Sequence, residues 1–189
     1  MDSNGSQIKS MLQNNSELMK ILAEVDSLKL NNYYIAAGAV FQTIWNTQDK
    51  LPLMNGIHDI DIIYFDKKIT QEDSLEQDKF LEKKLNEKFQ MEFDIHNEAY
   101  MHLWKGRNIK PYSSCEDAMG RWLATVHAIG IKGQPDTLEI YAPFGIDDIL
   151  HRIIRPIYHV DNSKILYDAK ALKWQERFNG LTILQWETN

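Results

Sequence analysis

The stretch Gly56-Ile57-His58-Asp59-Ile60-Asp61-Ile62-Ile63-Tyr64-Phe65 contains two aspartates, and its second half is crowded with apolar and β-branched residues. Such a segment is typical of a buried strand. Because alternate residues of a strand point to the same face, the two carboxylates project together, with Cα atoms roughly 6.5–7 Å apart. A buried charge is costly unless it is paired or binds a metal, and hard divalent cations prefer oxygen ligands. The pattern predicts a divalent-cation site; the alternative is that Asp59 only caps a turn and that Asp61 alone is unusual.

A turn of small residues precedes this strand in the sequence. The run from Tyr33 to Trp45 is typical of a strand, a tight turn at residues 36–39 and a following helix. Gly38 allows a ligand to approach the backbone closely. The N–H groups that open the following helix form an anion site. The segment therefore predicts a phosphate-binding turn.

A third acidic segment follows a charge-rich helix. The run from Met91 to Asn97 alternates as a strand, and its polar face carries Glu92, Asp94 and His96. This strand can lie antiparallel beside the Asp59 strand. A phosphate turn, an Asp-x-Asp strand and a further carboxylate on a neighbouring strand make a specific combination.

In these features the chain resembles the DNA polymerase β-like nucleotidyltransferase superfamily, and more closely a bacterial nucleotidyltransferase family of about this length. The resemblance runs from about residue 33 to the C-terminus. It rests on the following motifs: Ala37-Gly38-Ala39-Val40 with Trp45, Asp59-Ile60-Asp61 with Tyr64-Phe65-Asp66, Asp94-Ile95-His96-Asn97 with His102-Leu103-Trp104, Pro111-Tyr112, Arg121-Trp122, Ala142-Pro143-Phe144-Gly145 with Asp147-Asp148, and Arg155-Pro156.

The resemblance implies an enzyme that transfers a nucleoside monophosphate from a nucleoside triphosphate to an acceptor hydroxyl. It implies two metal ions, Mg²⁺ or Mn²⁺, held by the carboxylates of Asp59, Asp61 and Asp94. The expected fold is α/β, with a small mixed sheet flanked by helices and a helix-rich C-terminal part. The length of 189 residues predicts a single domain, 1–189, with the catalytic core at 31–97 and the C-terminal part at 98–189.

Two positions depart from the pattern of the superfamily. Gly38-Ala39 stands where Gly-Ser or Gly-Gly is usual, so a hydroxyl contact is missing. Phe41-Gln42 stands where close relatives tend to carry Arg-Asn. These departures favour an alternative, a non-catalytic nucleotide-binding module. A further alternative is an antitoxin-like interaction protein that retains the acids only for folding.

The C-terminal part contributes one further candidate residue. Ser114 begins a predicted helix whose apolar stripe runs from Met119 to Ile129. Arg121 lies on a different face of that helix. Because arginine suits bidentate phosphate binding, Arg121 is a candidate contact for the triphosphate or the acceptor, together with Gly38 and Ala39. The alternative is a salt-bridged or solvent-exposed side chain.

Composition limits the compartment and the partners. The net charge of −6 predicts no broad nucleic-acid-binding surface. The single cysteine, Cys115, suits a reducing cytosol, and the N-terminus has no signal-peptide pattern. No apolar run approaches the ~20 residues that span a bilayer. We therefore expect a cytoplasmic protein that binds a nucleoside triphosphate and whose acceptor is a small molecule, an RNA end or a protein hydroxyl.

Overall fold

The computed structural model describes residues 3–106 and 109–187, and this part of the chain forms seven α-helices and seven strands. The outermost residues of the predicted 1–189 domain lie outside the described residues. The elements are α1 (Ser3–Gln13), α2 (Ser16–Ser27), β1 (Tyr34–Ala36), α3 (Gly38–Gln48), β2 (Asp59–Tyr64), α4 (Gln71–Phe89), β3 (Glu92–Asn97), α5 (Cys115–Met119), β4 (Gly130–Lys132), β5 (Glu139–Tyr141), α6 (Asp147–Leu150), β6 (Ile153–Ile154), α7 (Lys164–Arg177) and β7 (Thr182–Ile183), with short 3₁₀ helices at Met101–Gly106 and Pro135–Thr137.

Five strands form one mixed sheet in the order β3-β2-β1-β4-β5. Strands β2 and β3 are parallel, and the other three pairs are antiparallel. This confirms the expected small mixed sheet flanked by helices. Strands β4 and β5 come from the predicted C-terminal part, so both parts of the chain build the same sheet. The remaining strands, β6 and β7, form a separate parallel pair.

The expected antiparallel pairing of the two acidic strands is wrong. Helix α4 carries the chain from the end of β2 back to the level at which β2 began, and a helical crossover of this kind joins parallel strands. The Thr70 hydroxyl accepts a hydrogen bond from the N–H of Asp73 at 3.1 Å and caps the start of α4. Gln90 ends the helix in the left-handed conformation, with φ 54°.

The main hydrophobic core covers one face of the sheet. Ile60, Ile62 and Tyr64 of β2 are buried in it, as expected for one side of a strand. Helices α1 to α4 and α7 supply the opposing side chains. Their fully buried residues include Ile8, Leu12, Leu18, Ile21, Leu22, Val40, Phe41, Ile44, Trp45, Leu85 and Tyr167.

The opposite face of the sheet is covered at one end only. Ile63 lies on this face and packs in a small cluster with Tyr34, Ala36 and the α5 residues Cys115 and Met119. The two acids of β2 share the face with Ile63 but lie nearer the start of the strand. The acidic end of this face therefore stays accessible while the other end is packed.

The predicted helix from Ser114 to Ile129 is much shorter than expected. Ser114 caps α5 as predicted, but the helix ends at Met119. The following chain pairs instead with the segment around Pro156: the N–H of Thr125 donates to the carbonyl of Arg155. Non-local pairing therefore overrides the helical spacing of the apolar residues in this segment. No helix in the part of the chain that the structure describes is long and apolar enough to cross a membrane.

Candidate active site

The three predicted acids lie on one face of two adjacent parallel strands. Asp61 of β2 is the direct register partner of Asp94 of β3, and Asp59 is the partner of Glu92. On its other side Asp61 pairs with Ala36, the last residue of β1. Because partners in register point to the same face, the structure brings the predicted carboxylates together at the open end of the sheet.

Repulsion and burial act together on Asp61. Burial, followed by the negative charges of Asp59 and Asp94, raises the pKa of Asp61 to about 6. The positive charges of Lys170 and His96 act in the opposite direction. Hydrogen bonding is not among the main causes of this shift. The site therefore holds a half-buried carboxylate that is destabilised in its charged form.

His96 is an ionic partner of this group. Its Nε2 lies 3.0 Å from Oδ1 of Asp94, and this contact raises the pKa of His96. The side chain of Asp94 is 52% exposed, so the pair faces solvent as well as the site. His96 compensates part of the negative charge that the three acids concentrate here.

The carboxylates of Asp59, Asp61 and Asp94 suit a hard divalent cation, although their side chains are not yet placed close enough together to bind one. Among the described residues, no three His, Cys, Asp or Glu side chains stand close enough to hold a metal ion as they are placed. The three acids nevertheless supply carboxylate oxygens, which Mg²⁺ and Mn²⁺ prefer. A cation between them would relieve the repulsion that raises the pKa of Asp61. The chemistry of these residues therefore fits such an ion.

The predicted phosphate turn lies at the end of β1. Ala37 adopts φ 54° and ψ −121°, a region that side-chain-bearing residues rarely adopt, and α3 begins at Gly38. The N–H groups of Val40 and Phe41 donate to the Ala37 carbonyl, which places those of Gly38 and Ala39 at the open end of the helix. No side chain of the described residues caps this end. The turn thus has the backbone geometry of an anion site.

The side chains after Gly38 point away from a ligand. Ala39 and Phe41 are fully buried in the main core, and the Phe41 ring contacts those of Trp45 and Trp174. Any contact of Ala39 with a phosphate is therefore made by its backbone N–H. The residue that lies against the turn is Gln42, since a Cβ on Gly38 would come within 2.8 Å of its Nε2.

A cleft of about 500 Å³ opens beside the acids. Asp61, His96 and Ala37 of the turn line it. Aromatic and polar side chains of the C-terminal part also line it; they include Trp104, Tyr112, Trp122, His127, Asp161 and Lys170. Such a mixture of flat apolar surface and a few polar groups is typical of a small-molecule site.

Arg121 lines this cleft, but its guanidinium is engaged elsewhere. Its Nε and Nη2 donate to the carboxylate of Asp117 at 2.9 and 2.6 Å, and Nη1 donates to the Lys110 carbonyl at 3.0 Å. The guanidinium also lies over the Tyr112 ring, with Cζ 5.0 Å from the ring centroid. The salt-bridged alternative therefore describes its observed state, and its predicted role in binding stays a prediction.

Two residues of the cleft were not singled out from the sequence. Lys170 of α7 lies close enough to Asp61 to lower its pKa. His127 lies between the tilted rings of Trp122 and Trp174, with centroids 4.9 and 5.6 Å away, and burial lowers its pKa to about 3. Its Nδ1 has no hydrogen-bond partner in the described part of the chain. The seven-residue spacing of Lys170 and Arg177 on one helix was the available signal for a basic face.

A second, smaller cleft adjoins the first. It has a volume of about 300 Å³, lies between α4 and the 3₁₀ helix at Met101–Gly106, and shares His96 and Trp104 with the larger cleft. Its wall contains Asp78, whose Oδ1 accepts a hydrogen bond from the Tyr64 hydroxyl at 2.7 Å. Burial raises the pKa of Asp78 to about 6.

Comparison with known proteins identifies the family and the fold. A family model described as nucleotidyltransferase matches residues 23–183. A solved NMR structure, described as revealing a CCA-adding enzyme head domain, is similar with a TM-score of 0.81 and 30% sequence identity. The match covers 96% of this chain and 96% of that one. No curated protein matches the sequence.

Proposed function

The chain belongs to this nucleotidyltransferase family, and from that premise we propose that it transfers a nucleoside monophosphate from a nucleoside triphosphate to an acceptor hydroxyl with the help of Mg²⁺ or Mn²⁺. In this reaction the acceptor oxygen bonds to the α-phosphorus. The bond from that phosphorus to the oxygen bridging to the β-phosphate breaks, so pyrophosphate leaves. The hydroxyl proton passes to solvent.

The carboxylates of Asp59, Asp61 and Asp94 are the metal ligands in this proposal. When bound, the divalent ions lower the pKa of the acceptor hydroxyl and neutralise the triphosphate. The position of Asp61 between Ala36 and Asp94 on the open face of the sheet is the observation that carries the proposal. His96 holds Asp94 in place through its 3.0 Å contact.

The turn at Gly38 receives the phosphates through its backbone. The N–H groups of Gly38 and Ala39 lie at the positive end of α3, which favours a negatively charged group. The cleft that contains Ala37 and Asp61 also exposes the rings of Trp104 and Trp122, which offer a stacking surface to a nucleobase. The donor nucleotide and the carboxylates that bind the metal would then lie in one cleft.

The direct test is transfer itself. The protein is incubated with each α-phosphate-labelled nucleoside triphosphate, Mg²⁺ or Mn²⁺, and a cell extract as the source of acceptor. We expect pyrophosphate release together with a labelled acceptor for the wild-type protein, and neither for Asp61→Asn. Label transfer that persists in Asp61→Asn would place the chemistry elsewhere.

A non-catalytic nucleotide-binding module is the second candidate. The buried Ala39 and Phe41, which offer a triphosphate neither a hydroxyl nor a cation, favour it. This candidate predicts that a triphosphate binds without pyrophosphate release at any metal concentration. If neither metal nor nucleotide binds, the antitoxin-like alternative takes precedence over both.

A further inference from the structure

Helix α7 contributes to the wall of the cleft that contains Asp61. Leu166 and Lys170, one turn apart, both line the cleft that contains Asp61. Two turns after Lys170, Arg177 reaches the other side of the site, where its Nη2 donates to the carbonyl of Gly56 and to Oε1 of Gln42. The helix therefore spans the distance from the acids to the side chain that lies against the Gly38 turn.

Packing holds this helix in a defined position. The Trp174 ring contacts Phe41 of α3 with centroids 5.8 Å apart, and Phe178 contacts Trp45 at 4.9 Å. The buried Tyr167 hydroxyl donates to the carbonyls of Ile154 and Leu184 at 2.8 and 2.7 Å. Side chains on the cleft face of α7 are thus presented from a rigid support, which a binding site requires.

Lys170 forms no ion pair with any described residue, and unlike Arg177 it lines the cleft that contains Asp61. Within the ranges 3–106 and 109–187, no carboxylate lies within 4.0 Å of its Nζ. Its Nζ lies 5.5 Å from the centroid of the Trp174 ring, so its stem is supported by that ring. Arg121, in contrast, is paired with Asp117. Lys170 is half-buried beside the cleft and attracts Asp61 only from beyond ion-pair distance, so it is available to a bound anion.

We propose that Lys170 binds the triphosphate of the donor nucleotide and that α7 supplies the cationic side of a site whose phosphate turn contains no Lys or Arg. This inference rests on the proposed function and identifies a residue that discriminates a triphosphate from an uncharged nucleoside. Lysine acts on phosphate as a point charge with three rotatable donors, so it can follow the phosphates without bidentate geometry.

Arg177 is a positioning residue in this scheme. Its hydrogen bonds fix Gln42, which lies against Gly38, and Gly56, which precedes the acidic strand. Arg177 therefore links α7 to the turn and to the acidic strand by hydrogen bonds, and in this scheme it does not contact the phosphates.

The test measures binding by calorimetry in the presence of Mg²⁺. Lys170→Met removes the charge but keeps an apolar stem on Trp174. Lys173→Met is the matched control, because Lys173 is an exposed lysine of the same helix that does not line the cleft. The probes are the four ribonucleoside triphosphates, inorganic tripolyphosphate as a probe without a base, and the nucleoside of the best-bound triphosphate.

We expect Lys170→Met to weaken the triphosphate and tripolyphosphate by a similar factor, about 10- to 100-fold for one charge-assisted contact, and to leave nucleoside binding unchanged. Lys170→Arg should restore most of the affinity, and Lys173→Met should match the wild-type protein. Raising the salt concentration should weaken tripolyphosphate binding less steeply in Lys170→Met than in the wild type.

Two results would overturn the inference, and they are distinguishable. Tripolyphosphate affinity of Lys170→Met equal to that of Lys173→Met removes Lys170 from the site while the nucleotide-binding proposal stands. A wild-type protein that binds neither the triphosphates nor tripolyphosphate removes the proposed function and this inference together.

Discussion

Replacing Asp61 by asparagine should stabilise the protein in the absence of metal, and only at a pH at which Asp61 is charged. The structure raises the pKa of Asp61 from its ordinary value of 3.8 to about 6. At about 1.4 kcal/mol for each pKa unit, this difference corresponds to about 3 kcal/mol of folding free energy. The cost arises because burial and the charges of Asp59 and Asp94 disfavour the ionised form.

The sign of the pH dependence follows from proton linkage. Because the folded state binds the proton more tightly than the unfolded state, stability is lost as the pH rises from about 4 to about 6. Above that window the wild-type protein carries the full cost, and Asp61→Asn does not. We therefore expect the variant to gain up to about 3 kcal/mol at pH 8, roughly 6–12 °C in Tm, and little at pH 4.

The measurement is urea and thermal unfolding at pH 4 and pH 8 in the presence of EDTA. Asp78, whose pKa is also about 6, titrates in both proteins. The difference in unfolding free energy between the wild type and Asp61→Asn therefore reports on Asp61 alone. Glu92→Gln serves as a control because it removes an exposed carboxylate from the same sheet face. The reasoning would be refuted if Asp61→Asn changed the free energy of unfolding equally at the two pH values, or if it destabilised the protein at pH 8. Asp61 would then be an acid that stabilises the fold. Added Mg²⁺ should raise the Tm of the wild type more than that of Asp61→Asn.

Three further predictions concern the same site. Asp94→Asn should abolish transfer whereas Glu92→Gln should be mild, since Asp94 is the register partner of Asp61; the reverse order in a transfer assay would move the site along the sheet. Gly38→Val should prevent triphosphate binding in calorimetry because its Cβ would come 2.8 Å from Nε2 of Gln42 and its methyl groups would fill the approach; unchanged affinity would place the phosphates elsewhere. Mn²⁺ should broaden NMR signals selectively near the three acids, and even broadening along α4 would count against a specific metal site.

The acidic face could be predicted because it depends on local geometry. The alternation of polar and apolar residues in β2 and β3 determines which side chains share a face, whatever the strands pair with. Asp59 and Asp61 were assigned to one face on that basis, and the structure agrees. The resemblance to nucleotidyltransferases added Asp94, which lies beside Asp61 in the sheet.

The features that sequence analysis missed depend on contacts between distant segments. The direction of β3 relative to β2 is set by how α4 packs, and either direction agrees with the alternation. The helix expected to reach Ile129 ends early because Thr125 pairs with Arg155, thirty residues further along the chain. Lys170 belongs to a charge-rich helix that resembles a solvated face until tertiary packing turns it toward Asp61.

Locally unfavourable residues concentrate at the open end of the sheet. Ala37 has a positive φ, a conformation that costs about 1–3 kcal/mol in a residue other than glycine. Asp61 carries a cost of about 3 kcal/mol from its raised pKa. Both line the same cleft. Ala37 also packs in the small cluster around Ile63, whereas Asp61 belongs to neither apolar cluster of the described residues. Since folding alone would favour an uncharged residue at 61, the proposed function accounts for this aspartate through a cation bound by its carboxylate, beside a turn whose backbone N–H groups would receive the phosphates.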